Sequence, residues 1–285
     1  MKRVLIVGKN SYIGNHVEDW LSGAGMQVDK LSVRDDAWKD YDYSQYDSVL
    51  YVAAIVHRKD AEASLYQKVN VQIPLLVAQR AKSQGVTQFV YFSSMAVYGV
   101  EKALFPVVID KSSPLEPVSP YGKSKLQAEY ELLKLHDSRF HVVLLRLPNV
   151  YGRDCKGNYI SGFVRIVRTL PLIPVAYEDI HQSMIYIDNV CELVKQAVSN
   201  NLHGIYCPQD DVAVSAVELM SEMAKALGVK RCFSTFLGKF VRYIPIARKV
   251  YGGIEYAREL SQDSQVEYQV VPFREAIIRT VKPDV

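Results

Sequence analysis

Three side chains could together move a proton. Tyr121 and Lys125 stand four residues apart in the run SPYGKSK. A strand-like run upstream, QFVYFSSMAVYG, carries a serine pair that ends with Ser94, about 27 residues before the tyrosine. A phenol can give a proton to an alkoxide or take one from an alcohol, and a nearby ammonium and hydroxyl can stabilise the resulting charge. The combination predicts the proton-transfer centre of an oxidoreductase.

The sequence context distinguishes this pair from chance matches. Of 19 tyrosines, three have a lysine four residues later, the other pairs being Tyr98/Lys102 and Tyr130/Lys134. Tyr121 follows Ser119, a predicted N-cap, and Pro120, a predicted first helical residue. The positive end of this helix and Lys125 both favour a tyrosinate. We therefore expect the pKa of Tyr121 to be lowered from its usual value near 10, so that the phenol exchanges its proton at neutral pH.

Composition places the chain among globular proteins. Its 285 residues are 49% hydrophobic and 23% charged, and the net charge of +3 is too small to indicate nucleic acid or a membrane as the partner. We find no signal-peptide pattern and no apolar run of about 20 residues that could span a membrane. The cysteines are scattered without a CxxC pair, which predicts reduced thiols in a cytoplasmic protein and no metal site. They are Cys155, Cys191, Cys207 and Cys232.

Strand-like and helix-like segments alternate along the first half of the chain. The strands are nearly continuous apolar runs, as in KRVLIVG and DSVLYVAAIV, which indicates a parallel sheet covered on both faces. We predict an α/β protein with a doubly wound parallel Rossmann sheet and a smaller C-terminal substrate-binding lobe. Residues 1–151 and 184–207 would form the dinucleotide-binding domain. Residues 152–183 and 208–285 would form the lobe.

A glycine-rich turn follows the first predicted strand. The run GKNSYIG places small residues where a backbone must approach a pyrophosphate at a helix N-terminus. A serine stands where a third glycine is usual. Because the turn directly follows the N-terminal strand, we predict that it binds a nicotinamide dinucleotide. The predicted contacts are Gly8, Lys9, Ser11, Tyr12, Ile13 and Gly14, with Ala53 and Ala54 after the third strand.

The end of the second predicted strand bears on the choice between NAD and NADP. An acid at this point usually binds the 2′-hydroxyl of NAD, and here the best register places Ser32 there with Arg34 just beyond. A serine leaves room for a 2′-phosphate, and an arginine can pair with it. This pattern favours NADP(H). A register shift that brought Asp35 into the acid's place would favour NAD(H) instead.

Five motifs in this order, GKNSYIG, YFSSMAVYG, SPYGKSK, LRLPNVYG and SMIYIDNV, resemble those of the extended short-chain dehydrogenase/reductases, specifically the nucleotide-sugar epimerase/dehydratase branch. The resemblance covers about residues 1–210. It implies that Ser94 hydrogen-bonds the reacting sugar oxygen, that Tyr121 is the acid/base, and that Lys125 binds the nicotinamide ribose and lowers the tyrosine pKa. It also implies that Asn70 supports the active-site strand and helps to hold the cofactor. The implied substrate contacts are Ser94, Met95, Tyr121 and Asn149, with Arg146 as a structural neighbour.

The serine pair and Asn70 also have purely structural interpretations. Ser93 and Ser94 could be a polar strand end, and Asn70 could be a helix surface residue.

Departures from the family pattern narrow the reaction. Dehydratases of this branch carry an acid directly after the catalytic Ser/Thr, whereas this chain has Met95 and Ala96 there, which argues against 4,6-dehydration. Many members place a diphosphate-binding arginine just before the segment that matches SMIYIDNV. This chain has His181, Gln182 and Ser183 at that point. Candidate substitutes, which could equally be solvated charges, are Arg231, Arg242 and Arg248.

Three functions remain open. The first is an NADPH-dependent 4-keto reductase acting at C4 of a nucleoside-diphosphate sugar, which we favour narrowly because of Ser32 and Arg34. The second is a 4-epimerase similar to UDP-glucose 4-epimerase, which would use nearly the same residues. The third is a non-catalytic dinucleotide-binding regulatory subunit on the same fold.

Two parts of the sequence could form contacts with a partner. The stretch FSTFLGKFVRYIPIARKVYGG mixes aromatic and basic residues and could form the lobe's own core and rim, a substrate wall, an oligomer contact or a membrane-surface helix. Family members are often dimers through two long helices. The predicted helices at 60–84 and 121–136 could form such a homodimer, or could bury all their apolar residues against the sheet.

Overall fold

A computed structural model describes residues 1–56, 62–99, 103–155, 159–241, 243–245, 247–261 and 266–282. In chain order the strands are β1 (Arg3–Val7), β2 (Gln27–Leu31), β3 (Ser48–Tyr51), β4 (Gln88–Ser94), β5 (Val108–Ile109), β6 (His141–Leu147), β7 (Asn149–Tyr151), β8 (Leu172–Pro174), β9 (His181–Gln182), β10 (Met184–Tyr186), β11 (Gly204–Tyr206), β12 (Val214–Ser215), β13 (Cys232–Ser234) and β14 (Glu255–Tyr256).

The helices are α1 (Tyr12–Gly23), α2 (Ala63–Tyr66), α3 (Ile73–Ser83), α4 (Pro120–Leu133), α5 (Tyr159–Thr169), α6 (Ile187–Ser199), α7 (Ala216–Leu227), α8 (Thr235–Val241), α9 (Ala247–Tyr251), α10 (Arg258–Ser261) and α11 (Phe273–Val281). Two short 3₁₀ turns cover Ala37–Lys39 and Met95–Tyr98, and a π-helical turn covers Gln67–Gln72.

Six strands form one parallel sheet in the order β11-β6-β4-β3-β1-β2. The order reverses direction at β1, which has β2 on one side and β3 on the other. In sheets of this kind ligands bind beyond the carboxyl ends of the strands at the reversal point. The predicted doubly wound α/β fold is confirmed, and the reversal point lies beside the glycine-rich turn.

Successive side chains of β1 enter two different cores. Leu5 and Val7 belong to the core under α3 and α4, whereas Val4 and Ile6 belong to the core shared with α1 and α6. All four are fully buried. A strand buried on both faces needs apolar residues at every position, which is why these strands read as continuous apolar runs.

The helix that approaches the reacting region contains a π-helical turn. The sequence predicts one long helix here with a possible kink at Pro74. The structure has three connected helical pieces, α2, the π turn and α3, and Pro74 lies in the first turn of α3. A proline is tolerated in a first helical turn, so the local change in winding falls just before it.

The remaining strands form small two-stranded pairs outside the main sheet. They are β7 with β10, β9 with β12, β8 with β13, and β5 with β14. The segment 184–207 returns to the main sheet, because α6 packs against α1 and β11 pairs with β6. The division into two domains at the predicted boundaries stays a prediction.

Candidate active site

The glycine-rich turn joins β1 to α1. Gly8 has φ +133°, a conformation that side-chain-bearing residues rarely adopt, and a Cβ there would lie 2.9 Å from the Ala53 nitrogen. Ser11 is the N-cap of α1, and its hydroxyl accepts from the Gly14 N–H at 3.2 Å. The first turn of α1 contains no acidic residue. A helix N-terminus without acids behind a tight turn fits the pyrophosphate of a dinucleotide.

Other predicted contacts surround this turn. Lys9 is exposed, and Tyr12 and Ile13 are half-buried at the start of α1. The Tyr12 hydroxyl donates to the Arg153 carbonyl at 2.8 Å. Ala53 and Ala54 follow β3 and are half-buried. These residues lie at the carboxyl ends of β1 and β3, next to the reversal point of the sheet.

The end of β2 fixes the register that the sequence left open. Leu31 is the last strand residue and its carbonyl accepts from the Gly8 N–H at 2.9 Å, so Ser32 directly follows the strand. The Ser32 hydroxyl accepts from the Arg34 N–H at 3.2 Å, and the Arg34 side chain is exposed. Asp35 lies further out, where its carboxylate accepts from the Ala37 N–H at 3.1 Å. Ser32, rather than Asp35, therefore occupies the strand end.

Asn70 is fully buried inside the π turn and joins two active-site elements. Its amide exchanges hydrogen bonds of 2.8 and 3.0 Å with the backbone N–H and carbonyl of Ile55, in the loop after β3. It also donates to the Ser124 hydroxyl at 3.0 Å, and that hydroxyl donates to the Tyr121 carbonyl at 2.8 Å. The π turn thus ties the cofactor-side loop to the first turn of α4.

The start of α4 packs directly on the chain that follows Ser94. The Ser119 N-cap accepts from the Gly122 N–H at 3.0 Å, which confirms the predicted helix start. A Cβ at Gly122 would lie 2.5 Å from the Ala96 carbonyl oxygen, so only glycine permits this approach. The approach places Tyr121 beside Ser94, and their side chains are hydrogen-bonded. Since the Ser94 oxygen accepts from the Ala96 N–H at 3.2 Å, its proton is available to the phenol oxygen.

The expected lowering of the tyrosine pKa is not found. Burial raises the pKa of Tyr121 to about 12, and the hydrogen bond from Ser94 lowers it only in part. The Lys125 ammonium lies 5.9 Å from the centre of the Tyr121 ring, too far to replace the lost hydration. In the protein alone, Tyr121 therefore keeps its proton at neutral pH, which corrects the expectation of a tyrosinate.

Lys125 is almost completely buried, with 2% of its surface exposed. Its ammonium donates to the Phe92 carbonyl at 2.6 Å and lies 4.4 Å from the centre of the Tyr91 ring. Burial lowers the pKa of Lys125 to about 7, against the opposing effect of the Glu129 carboxylate. A lysine held this way is poised between its charged and neutral forms.

A buried ion pair lies one turn further along α4. The Arg146 guanidinium, from β6, donates to both Glu129 oxygens at 2.7–3.2 Å. The Ser93 hydroxyl donates to the same carboxylate, and Arg146 also donates to the Tyr98 hydroxyl at 2.9 Å. All four residues are buried. Together with Asn70 and Ser124 they form the polar floor, a name we use for the six paired residues beneath the reacting end of α4.

Sequence reasoning did not pair the residues of the polar floor with one another, and it did not single out Glu129 or Ser124. Glu129 follows Lys125 by four residues on the same helix face, and Ser93 stands next to Ser94, so weak signals were present. Nothing in the sequence pairs Glu129 with an arginine on another strand. Arg146, expected only as a structural neighbour, is the partner that makes this buried carboxylate tolerable.

The predicted substrate contacts are only partly exposed. Met95 and Asn149 are half-buried, at the start of the 3₁₀ turn and of β7. His181 is half-buried in β9, and the two residues after it, Gln182 and Ser183, are buried. The Ser183 hydroxyl donates to the Gln209 side chain at 2.5 Å, so it is used in packing within the protein.

The candidate diphosphate-binding arginines differ in their surroundings. Arg231 donates to the carbonyls of Val167 and Arg168 at 2.5 and 3.0 Å, and thereby caps the end of α5. This use argues against its role as a diphosphate ligand. Arg248 is exposed on α9, and Arg242 lies outside the described residues. Among the described residues, no group of three or more His, Cys, Asp or Glu side chains could hold a metal ion.

The arrangement has the parts that acid/base chemistry beside a hydride donor requires. A phenol and a hydroxyl are hydrogen-bonded to each other, a buried lysine lies one helical turn further along α4, and the glycine-rich turn lies at the same edge of the sheet, two strands away. The residues fit a nicotinamide dinucleotide. In the parts of the chain that the structure describes, no helix is long and apolar enough to cross a membrane.

Curated relatives match more than two thirds of the chain. It is 29% identical over 204 residues to the N-acetyl-α-D-glucosaminyl-diphospho-ditrans,octacis-undecaprenol 4-epimerase of Escherichia coli O157:H7, covering 70% of this chain and 60% of that protein. It is 26% identical over 250 residues to the UDP-glucose 4-epimerase of Vibrio cholerae, covering 79% and 76%.

Solved structures with the same fold carry either dinucleotide. The RMD structure from Pseudomonas aeruginosa, complexed with NADPH, has a TM-score of 0.74 and 19% identity over 98% of both chains. The WbmH structure from Bordetella bronchiseptica, complexed with NAD⁺, has a TM-score of 0.72 and 21% identity over 99% of this chain and 97% of the other. At these identities the likeness shows the fold alone.

The family comparison covers the whole of the main sheet. The profile of the NAD dependent epimerase/dehydratase family matches residues 4–205, from β1 into β11. The matched region contains the glycine-rich turn, Asn70, and the Ser94, Tyr121 and Lys125 centre. The chain therefore belongs to the NAD dependent epimerase/dehydratase family.

Proposed function

We propose that the protein is an NADP(H)-dependent reductase that converts the 4-keto group of a sugar diphosphate, most simply a nucleoside-diphosphate sugar, into an alcohol. The observation that carries the choice is the end of β2. Ser32 directly follows the strand, Arg34 is exposed two residues later, and the first acid after the strand, Asp35, accepts from the Ala37 N–H. A small hydroxyl followed two residues later by an exposed arginine suits a 2′-phosphate, whereas an acid would repel it.

The residues of the chain supply the proton and hold the charge. When bound, NADPH supplies the hydride. Ser94 and Tyr121 would both bind the ketone oxygen, and Tyr121 would donate its proton as negative charge develops there. A phenol whose pKa is about 12 carries that proton at neutral pH. Lys125, 5.9 Å from the phenol ring, would stabilise the tyrosinate that remains.

A 4-epimerase is the second candidate, and the names of the two curated relatives favour it. An epimerase must first take a proton from the C4 hydroxyl, which requires a tyrosinate. The raised pKa of Tyr121 in the protein alone suits a donor better than an acceptor. The name of the Escherichia coli relative also raises a second carrier, a polyprenyl diphosphate, which shares its diphosphate with a nucleotide sugar.

The decisive assay follows NADPH and NADH oxidation with a panel of 4-keto sugars on both carriers. We expect NADPH to be consumed and the alcohol to accumulate. The Ser32→Asp variant should reduce the preference for NADPH over NADH by about tenfold to a hundredfold, because its carboxylate repels the 2′-phosphate. Ser138→Asp, at the opposite end of the sheet, adds the same charge and should leave the preference unchanged. Tightly held NAD with interconversion of C4 epimers and no net NADPH consumption would establish the epimerase instead.

A further inference from the structure

The outer face of the lobe exposes a cluster of large apolar side chains around α8. Phe236, Phe240, Tyr243 and Ile244 are 65%, 53%, 77% and 47% exposed. The two phenylalanine rings contact each other edge to face, with centroids 5.5 Å apart. Adjacent exposed aromatic residues cost solubility unless something covers them, so they indicate an interaction surface.

The packing of α8 fixes which side of the helix faces outward. The opposite side of α8 is buried, since Val241 is 2% exposed and Gly238 packs on the backbone at Val175. A Cβ at Gly238 would lie 1.7 Å from the Val175 carbonyl oxygen. The Val175 N–H also donates to the Ser234 carbonyl at 3.0 Å, which extends the β8–β13 pairing to the helix. The aromatic side of α8 cannot turn inward without breaking this packing.

The same segment is strongly basic. From Val229 to Ile254 it contains no acidic residue and six cations: Lys230, Arg231, Lys239, Arg242, Arg248 and Lys249. Of these, Lys239, Arg248 and Lys249 are exposed on α8 and α9. The loop after β8 brings two acids, Glu178 and Asp179, which leaves a clear positive excess. Exposed aromatic rings on the helix that also carries the exposed Lys239, within a segment that contains no acid, match the chemistry of an anionic lipid surface, where rings enter the headgroup region and cations contact phosphates.

We propose that this face, formed by α8, Tyr243, Ile244 and the exposed cations of α8 and α9, docks the protein on an anionic bilayer surface. Charge complementarity favours the lipid over a second copy of the chain, since two identical basic faces repel each other. The docking would be peripheral. This proposal does not depend on the proposed reaction. Lipid binding is measured without a sugar substrate, and reduction of a water-soluble 4-keto sugar is measured without lipid.

Flotation with vesicles tests the proposal. The full chain should float with vesicles of phosphatidylethanolamine and phosphatidylglycerol, and less with phosphatidylcholine alone or in high salt. The double variant Phe236→Ser, Phe240→Ser should lower the bound-to-free ratio by about tenfold, because two rings no longer enter the interface. Tyr130→Ser, on α4 and 53% exposed like Phe240, is the matched control and should float like the wild type.

A direct readout guards against a folding artefact. Phe240→Trp should show a blue-shifted fluorescence when anionic vesicles are added, because its ring leaves water. The double variant should keep the wild-type circular dichroism and NADPH binding. The proposal would be overturned if the wild type did not float, or if Tyr130→Ser reduced flotation as much as the double variant does. It would also be overturned if the wild type were a dimer and the double variant a monomer.

Discussion

The polar floor beneath α4 and the aromatic face of α8 invert the usual division of residues between core and surface. In the floor, Glu129 and Arg146 are charged and buried, and each has several hydrogen-bond partners. On α8, Phe236 and Phe240 are apolar and exposed, and their rings contact each other. In each region one helix is fixed by a close glycine contact, at Gly122 in α4 and at Gly238 in α8.

The difference lies in where each region finds its partners. A buried ion pair is tolerated only when its hydrogen bonds are complete, so the floor is satisfied within the chain and serves to hold α4 in place. The exposed rings are not satisfied within the described chain, which is the physical reason for assigning them an external partner. The floor therefore positions the reacting side chains, whereas the α8 face would determine where the protein binds.

The largest expected effect is the loss of activity in a variant of the reacting centre that leaves lipid binding unchanged. Tyr121→Phe removes the proton donor but keeps the ring, so kcat should fall by about 10²–10⁴-fold with little change in the affinity for NADPH. The measurement is steady-state NADPH oxidation beside a binding titration. Vesicle flotation should be unchanged, because Tyr121 lies outside the α8 face.

The complementary variant completes this test. The double variant of Phe236 and Phe240 should keep kcat on a soluble substrate and lose flotation. If Tyr121→Phe left the reaction rate intact, the assignment of Tyr121 as proton donor would be wrong. If the wild type showed no reaction with any sugar of the panel, a regulatory role of the dinucleotide-binding fold would become the better explanation.

A second test asks whether the floor is structural. Arg146→Met leaves the Glu129 carboxylate buried without its cation, so the free energy of unfolding should fall by about 3–5 kcal/mol. Urea denaturation monitored by circular dichroism measures this change. Lys239→Met removes an exposed cation from the α8 face and should change stability by less than about 0.5 kcal/mol. If both substitutions lowered the free energy of unfolding equally, the polar floor would contribute no more to stability than the exposed α8 face.

The sequence predicted those parts of the site that are written as short local patterns. The turn at Gly8, the helix start before Tyr121 and the alternation behind the doubly wound sheet each depend on neighbours in the chain, and the structure has them where they were expected. The i, i+4 spacing also placed Lys125 on the same helix face as Tyr121.

Long-range partners escaped the sequence for a physical reason. The Glu129–Arg146 pair joins a helix to a strand through a register that only the folded sheet defines. The pKa of Tyr121 was expected to fall because its charged neighbour is visible in the sequence, whereas its burial is not. Arg231 similarly looked like a free cation until the carbonyls at the end of α5 were seen to use it.

The smallest effect concerns Lys125 and pH. Burial lowers the pKa of this lysine to about 7 in the folded protein, from 10.5. Between these two values the unfolded chain binds the extra proton, so a rise in pH stabilises the folded state, and below pH 7 the full burial cost remains. Wild type should therefore gain about 2–3 kcal/mol over Lys125→Met between pH 6.5 and 9.

Urea midpoints of both proteins across this pH range measure the difference. Lys239→Met serves as the control, since an exposed lysine should give no such trend. A difference between wild type and Lys125→Met that stays flat with pH would mean that Glu129 keeps Lys125 charged throughout. The lysine would then act as a fixed cation beneath Tyr121, and the polar floor would set the charge of the reacting centre as well as its position.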